Sequence, residues 1–211
     1  MNRLIVIFLL FTYNSNAQEL IINYEKLNKP DSIISKIIEK ANATKSLKCS
    51  FIYTEKNNSN TIEVKSSGIL YLKKPHQIKW EYKSPKQYEI LLNKKKSLIK
   101  EDFEINDFFI EANPNFNEIN NILRNDISNY LQNSDDYLIN YYSNNSEILV
   151  QLVPKDNKSS LFFQKIELFF NKVDFGLQAI KLNTSYSDEL YLELSQRYLN
   201  IDTPKETFKL K

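Results

Sequence analysis

Few side chains in this sequence could do chemistry together. His76 is its one histidine and Cys49 its one cysteine. A zinc site of the usual imidazole and thiolate ligands needs more of both. His76 follows Pro75 with no serine or carboxylate in triad-like context, so it reads as an exposed turn residue. Asp135-Asp136 and Asp188-Glu189 are adjacent carboxylates. Neighbours in a strand or turn point apart, so neither pair suits acid–base work on one bond. A phosphate-cradling loop needs clustered glycines, and Gly68 and Gly176 stand far apart. No nucleophile motif is present either. These residues point to a binding protein, not an enzyme, with no cofactor and no metal. A single cysteine forms no intrachain disulfide, and Cys49, inside an alternating apolar stretch, reads as a small buried hydrophobe.

What the chain has in quantity is apolar and aromatic surface. Of 211 residues, 42% are hydrophobic and 26% charged, which marks a globular chain with enough length for a sizeable core. The 13 Tyr and 13 Phe favour pleated, half-buried surfaces. Ile78, Trp80 and Tyr82 share one strand face, and Lys79, Glu81 and Lys83 share the other. Formal charge is only +2, and the sharpest basic run, Lys94-Lys95-Lys96, reads as a solvated hairpin tip. Nucleic acid is therefore not an expected partner.

The elements that would position this surface follow from spacing. Met1-Asn2-Arg3, the apolar run Leu4 to Phe11, and Ser15-Asn16-Ala17 form a secretory signal peptide over residues 1–17, leaving a mature chain from Gln18. The run is shorter than the ~20 residues that span a bilayer. Pro30-Asp31 opens a helix capped by Asp31 or Ser32, with Ile33, Ile34, Ile37, Ile38 and Ala41 on one face. Strands are expected over 47–54, 61–73, 78–82, 88–92 and 97–100, a meander broken by Pro75 and Pro85. Gly68 inside the second suggests a bulge. Residues 102–131 read as short helices joined by turns, too apolar to stand alone in water. Strands resume at 137–142, 147–154, 163–170, 177–184 and 189–197, with a last one at 207–211. Without an internal repeat or linker, residues 18–211 are expected to form one domain.

The stretch Gly68-Ile-Leu-Tyr-Leu-Lys-Lys-Pro-His-Gln-Ile-Lys-Trp-Glu-Tyr-Lys-Ser-Pro85 resembles the signature of the periplasmic lipoprotein carrier family, LolA. Leu152-Val153-Pro154 and the turn Asp174-Phe175-Gly176 agree with it, and the resemblance covers most of residues 31–211. It implies a mainly β fold with some α: an incomplete, strongly curved antiparallel β-barrel, covered by an N-terminal helix and a lid of short helices. By position, the resemblance puts Phe51, Ile78, Trp80, Tyr82 and Ile90 in a lipid-binding cavity. It puts Phe116, Ile119, Ile122 and Leu123 on the lid. Lys74 stands where the family often has an arginine that latches the lid, and an ammonium makes no forked contacts.

The function this implies is transport of acylated cargo from the inner to the outer membrane. The expected partners are lipoprotein or other acylated cargo, an inner-membrane ABC-type lipoprotein release complex and an outer-membrane acceptor, with the carrier a monomer in the periplasm. The alternatives are the same fold carrying another amphiphile, such as a glycolipid or acylated pigment, and a non-carrier periplasmic interaction protein.

Overall fold

The computed structural model describes residues 24–57, 62–94, 96–124, 127–132, 135–155, 162–184 and 188–210. The signal segment and Lys95 of the basic tip lie outside them. The strands are β1 (Glu25–Lys26), β2 (Ser46–Asn57), β3 (Ile62–Lys73), β4 (Gln77–Ser84), β5 (Tyr88–Leu92) and β6 (Ser97–Glu101). They continue with β7 (Glu104–Asp107), β8 (Tyr137–Ser143), β9 (Glu147–Pro154), β10 (Phe163–Asn171), β11 (Leu177–Thr184) and β12 (Glu189–Leu199). The helices are α1 (Asp31–Ala43), α2 (Pro114–Arg124) and α3 (Ile127–Gln132).

All these strands join one antiparallel sheet in the order β1-β8-β9-β10-β11-β12-β2-β3-β4-β5-β6-β7, with β1 and β7 as free edges. Laid flat, twelve strands at about 4.8 Å spacing would be roughly 55 Å wide. Yet one continuous apolar cluster joins Val150 and Leu152 of β9 through Phe51 of β2 to Ile90 and Leu92 of β5, and takes in Ile37 of α1 and Ile122 of α2. The sheet therefore wraps around its helices as an unclosed barrel, as expected from the resemblance.

Gly68 shows how tightly the wrap is drawn. The register between β3 and β4 slips between Ser67 and Gly68. A side chain there would meet the Glu81 carbonyl oxygen at 1.9 Å and the Phe51 ring at 2.9 Å. The bulge read from the sequence is thus a place where two backbones close in on each other.

Three local expectations need correction. Residues 102–131 are not all helix and turn, since β7 forms there. Asp102 takes a φ of +51°, the left-handed value that a two-residue hairpin loop needs, so the chain turns back at Asp102-Phe103 and pairs with β6. The last stretch is not a strand: Lys205–Phe208 is a 3-10 turn after Pro204. It crosses the outer face of β4, where Phe208 is buried and the Lys209 carbonyl accepts from Lys79 Nζ at 3.2 Å. Lys79, only 1% exposed, also pairs with Glu81 at 3.1 Å and Glu89 at 3.3 Å. Finally, α1 has no side-chain cap at Asp31 or Ser32. Pro30 precedes its first turn, and the Pro30 carbonyl accepts from Ile33 and Ile34 N–H at 2.9 Å.

Candidate functional site

The concave sheet face carries the aromatic surface that alternation placed on β2, β4 and β5. The Phe51 ring meets Trp80 edge-on at 4.9 Å and Tyr82 at 5.1 Å. Tyr82 stacks on Tyr88 at 4.2 Å with 11° between planes. Helix α2 lies across β4. It forms over 114–124 because Phe116, Ile119, Ile122 and Leu123 recur at helical spacing, and all four are buried. Phe116 touches Trp80 at 5.4 Å and is met edge-on by Phe108 at 5.7 Å.

One polar contact ties this helix to the sheet. Trp80 Nε1 donates to Asn120 Oδ1 at 2.9 Å, and Asn120 Nδ2 donates to the Phe116 carbonyl at 2.7 Å. Asn120 is fully buried. A buried amide of this kind would be costly without partners, so its bonds specify where α2 sits. Sequence reasoning missed Asn120. The signal was there: it lies four residues after Phe116 and three before Leu123, on the apolar stripe itself.

Among the described residues, two spaces lie between helices and sheet. The first, about 70 Å³, lies among α1, α2 and the strands, with Ile37, Leu47, Ile122, Leu123, Phe170 and Leu194 in its wall. Lys74 borders it too, and Lys74 Nζ donates to the Ala41 carbonyl at 2.9 Å. That places the ammonium on a last-turn carbonyl of α1, a favourable position for a cation. The residue expected to latch the lid thus reaches the first helix. The second space is an open groove of about 420 Å³. Tyr53, Tyr82, Tyr88, Ile90, Ile99 and Phe116 form its apolar part. Of the residues assigned to the cavity by resemblance, Tyr82 and Ile90 border this groove. Phe51, Ile78 and Trp80 line neither space, and each is at most 1% exposed.

The titratable groups at these places are perturbed by burial. Burial raises the Tyr53 and Tyr82 hydroxyls well above the usual phenol range, and the Glu55 carboxylate adds to both. Burial likewise pushes the Cys49 thiol up to about 12, which keeps it protonated and inert. At the end of α2, Arg124 Nε and Nη2 are buried without a hydrogen bond among the described residues, and burial lowers the guanidinium's pKa.

The turn Asp174-Phe175-Gly176 borders the smaller space. Arg197 pairs with Asp174 at 3.0 Å and donates to the Leu177 carbonyl at 3.0 Å. A side chain on Gly176 would meet that guanidinium at 2.3 Å. Lys36 of α1 sits over the Phe175 ring at 5.2 Å.

Comparisons with known proteins match this architecture. The family model for the outer membrane lipoprotein carrier protein LolA matches residues 42–211. No curated protein matches the chain. Among solved structures, MucB is similar with a TM-score of 0.57 at 11% identity, covering 87% of this chain and 64% of that one. A MucA/MucB complex from Pseudomonas aeruginosa gives 0.50 at 9% identity, over 85% and 60%. A LolA superfamily protein, NE2245 from Nitrosomonas europaea, gives 0.44 at 14% identity, over 87% and 99%. This chain spans less than two thirds of the MucB chain, and likeness at such identity concerns the fold alone.

Proposed function

The chain belongs to the outer membrane lipoprotein carrier family LolA, and on that premise we propose that it holds the acyl chains of exported lipoproteins and carries them from the inner to the outer membrane. The observation that carries this reading is the groove of about 420 Å³ between the aromatic sheet face and the start of α2. Its volume lies within the roughly 300–1,000 Å³ usual for ligand sites. Acyl chains gain about 0.8 kcal/mol per buried methylene, so a short stretch of chain is enough for firm holding. The signal segment 1–17 supports export to the periplasm, with residues 18–211 as one working unit and no catalytic role. In this reading an inner-membrane ABC-type release complex loads the carrier and an outer-membrane acceptor empties it. Trp80, Phe51 and Ile78 become cavity wall when α2 lifts, and Lys74 holds α1 in place while it does.

The near-complete burial of Trp80 favours a second reading, a periplasmic interaction protein with a filled interior. MucB, solved in complex with MucA, is similar in fold. Native mass spectrometry of protein purified without detergent separates the two. A carrier retains a ligand of acylated mass, which also tells lipoprotein from glycolipid or pigment, and Trp80 emission shifts when a long-chain amphiphile is added. Bare protein that takes up no amphiphile, with unchanged Trp80 emission, would sink the carrier reading.

A further inference from the structure

The groove's rim carries a charge that its apolar floor does not need. Tyr53 and Glu55 point into it from β2, and the Tyr53 hydroxyl donates to Glu55 Oε1 at 2.9 Å. Lys86 and Glu101 also border it and pair with each other at 3.2 Å. The neighbouring lysines of the hairpin, Lys56 and Lys65, bond Glu63 at 3.7 and 2.7 Å. Glu55 has no ion pair among the described residues. The groove therefore offers one uncompensated carboxylate above a floor of stacked phenol rings. Burial is the larger cause of the raised Tyr53 and Tyr82 hydroxyls, but the Glu55 charge is felt at Tyr53, Tyr82 and Tyr88 alike.

We propose that this groove selects amphiphiles whose polar end is cationic: an acyl or alkyl chain with an amine beside it, the chain on the ring floor and the amine on Glu55. An ammonium brings three donors and no acceptor, which matches a carboxylate already steadied by one hydroxyl. Ring faces attract the same cation, whereas an anionic head group would face Glu55 with nothing free to answer it. The inference rests on the reading of the groove as an amphiphile site and adds the head-group class.

The test is binding of dodecylammonium, dodecyl maltoside and dodecanoate, below their micellar concentrations, to the mature chain by calorimetry. Dodecylammonium is expected to bind roughly three- to thirty-fold more tightly than dodecyl maltoside, the range for an exposed ion pair plus a cation over a ring. Dodecanoate should bind most weakly. Glu55→Gln should abolish the preference, and because Glu55 is exposed the fold should be unchanged. Lys86→Gln frees Glu101 and should strengthen the preference. Equal binding of all three amphiphiles, or a preference that survives Glu55→Gln, would overturn the head-group inference while leaving acyl binding intact. No binding of any of them would overturn both.

Discussion

Beneath α1 and α2 the concave sheet face leaves about 70 Å³ of free space, and beyond Phe116 it leaves about 420 Å³. The first region is walled mostly by aliphatic side chains and Phe170 from three helices and five strands, and of the cations beside it Lys74 bonds a helix end and Arg197 pairs with Asp174. The second has tyrosines for walls, with Phe116 its one lining residue from a helix and Glu55 at its rim without an ion pair, among the described residues. One sheet thus does two jobs. Where helices cover it, its apolar face is ordinary core that holds the molecule together. Where they stop, the same alternation of side chains leaves surface that a ligand can cover. The Trp80–Asn120 bond lies at the border.

Replacing Ile37, fully buried on α1, by Ala should give the largest effect. A large-to-small change in a filled core costs about 2–5 kcal/mol, read as a lower urea midpoint at unchanged slope. Ile99→Ala at the groove removes a side chain that is only partly buried, and should cost roughly 1 kcal/mol. Equal losses from the two would erase the distinction between filled end and open end.

Breaking the border contact comes next. Asn120→Leu leaves Trp80 Nε1 buried without an acceptor, at about 1–3 kcal/mol. Trp80→Phe takes the donor from Asn120 Oδ1, while Asn120 Nδ2 keeps its bond to the Phe116 carbonyl. Combining them should recover the part of the loss that comes from the unpaired polar groups, while the cavity left by the smaller ring remains. If the double variant is as unstable as the sum of the singles, the bond does not seat α2.

Much of this was legible in the sequence, for reasons that differ by region. The alternation at Ile78, Trp80 and Tyr82 and the turn chemistry at Pro75 and Pro85 are local signals, and the strands formed where they pointed. The amphipathic stripe of α2 was equally local. What escaped depends on contacts distant in sequence. Lys79 looks like a solvated outer-face residue until the C-terminal segment crosses over it. That same crossing turns an expected last strand into a 3-10 turn. β7 forms because β6 offers an unpaired edge, something no periodicity within residues 104–107 could reveal. The resemblance puts Trp80 in a cavity, and strand alternation tells which face it takes, but neither tells whether a helix is seated on it.

The smallest effect concerns the roof of the filled end and has a definite sign with pH. Glu118 of α2 accepts from the Tyr130 hydroxyl of α3 at 3.2 Å. Burial raises its carboxyl above the ordinary range, and the Tyr130 and Asn121 bonds pull back against that shift. A carboxyl whose folded pKa exceeds its unfolded one keeps its proton longer in the native state. Its contribution to stability is therefore best at low pH and falls as pH rises from the unfolded value of about 4.3 through the folded value, leaving the full penalty at pH 7. Glu118→Gln keeps an acceptor for Tyr130 and removes the charge. Its melting temperature should sit slightly above that of the parent at pH 7, and the gap should close as pH falls to about 4. A gap that stays constant with pH would mean packing, not ionisation, sets the difference. No gap at all would mean that water reaches Glu118 in the folded chain and leaves its charge without a burial penalty.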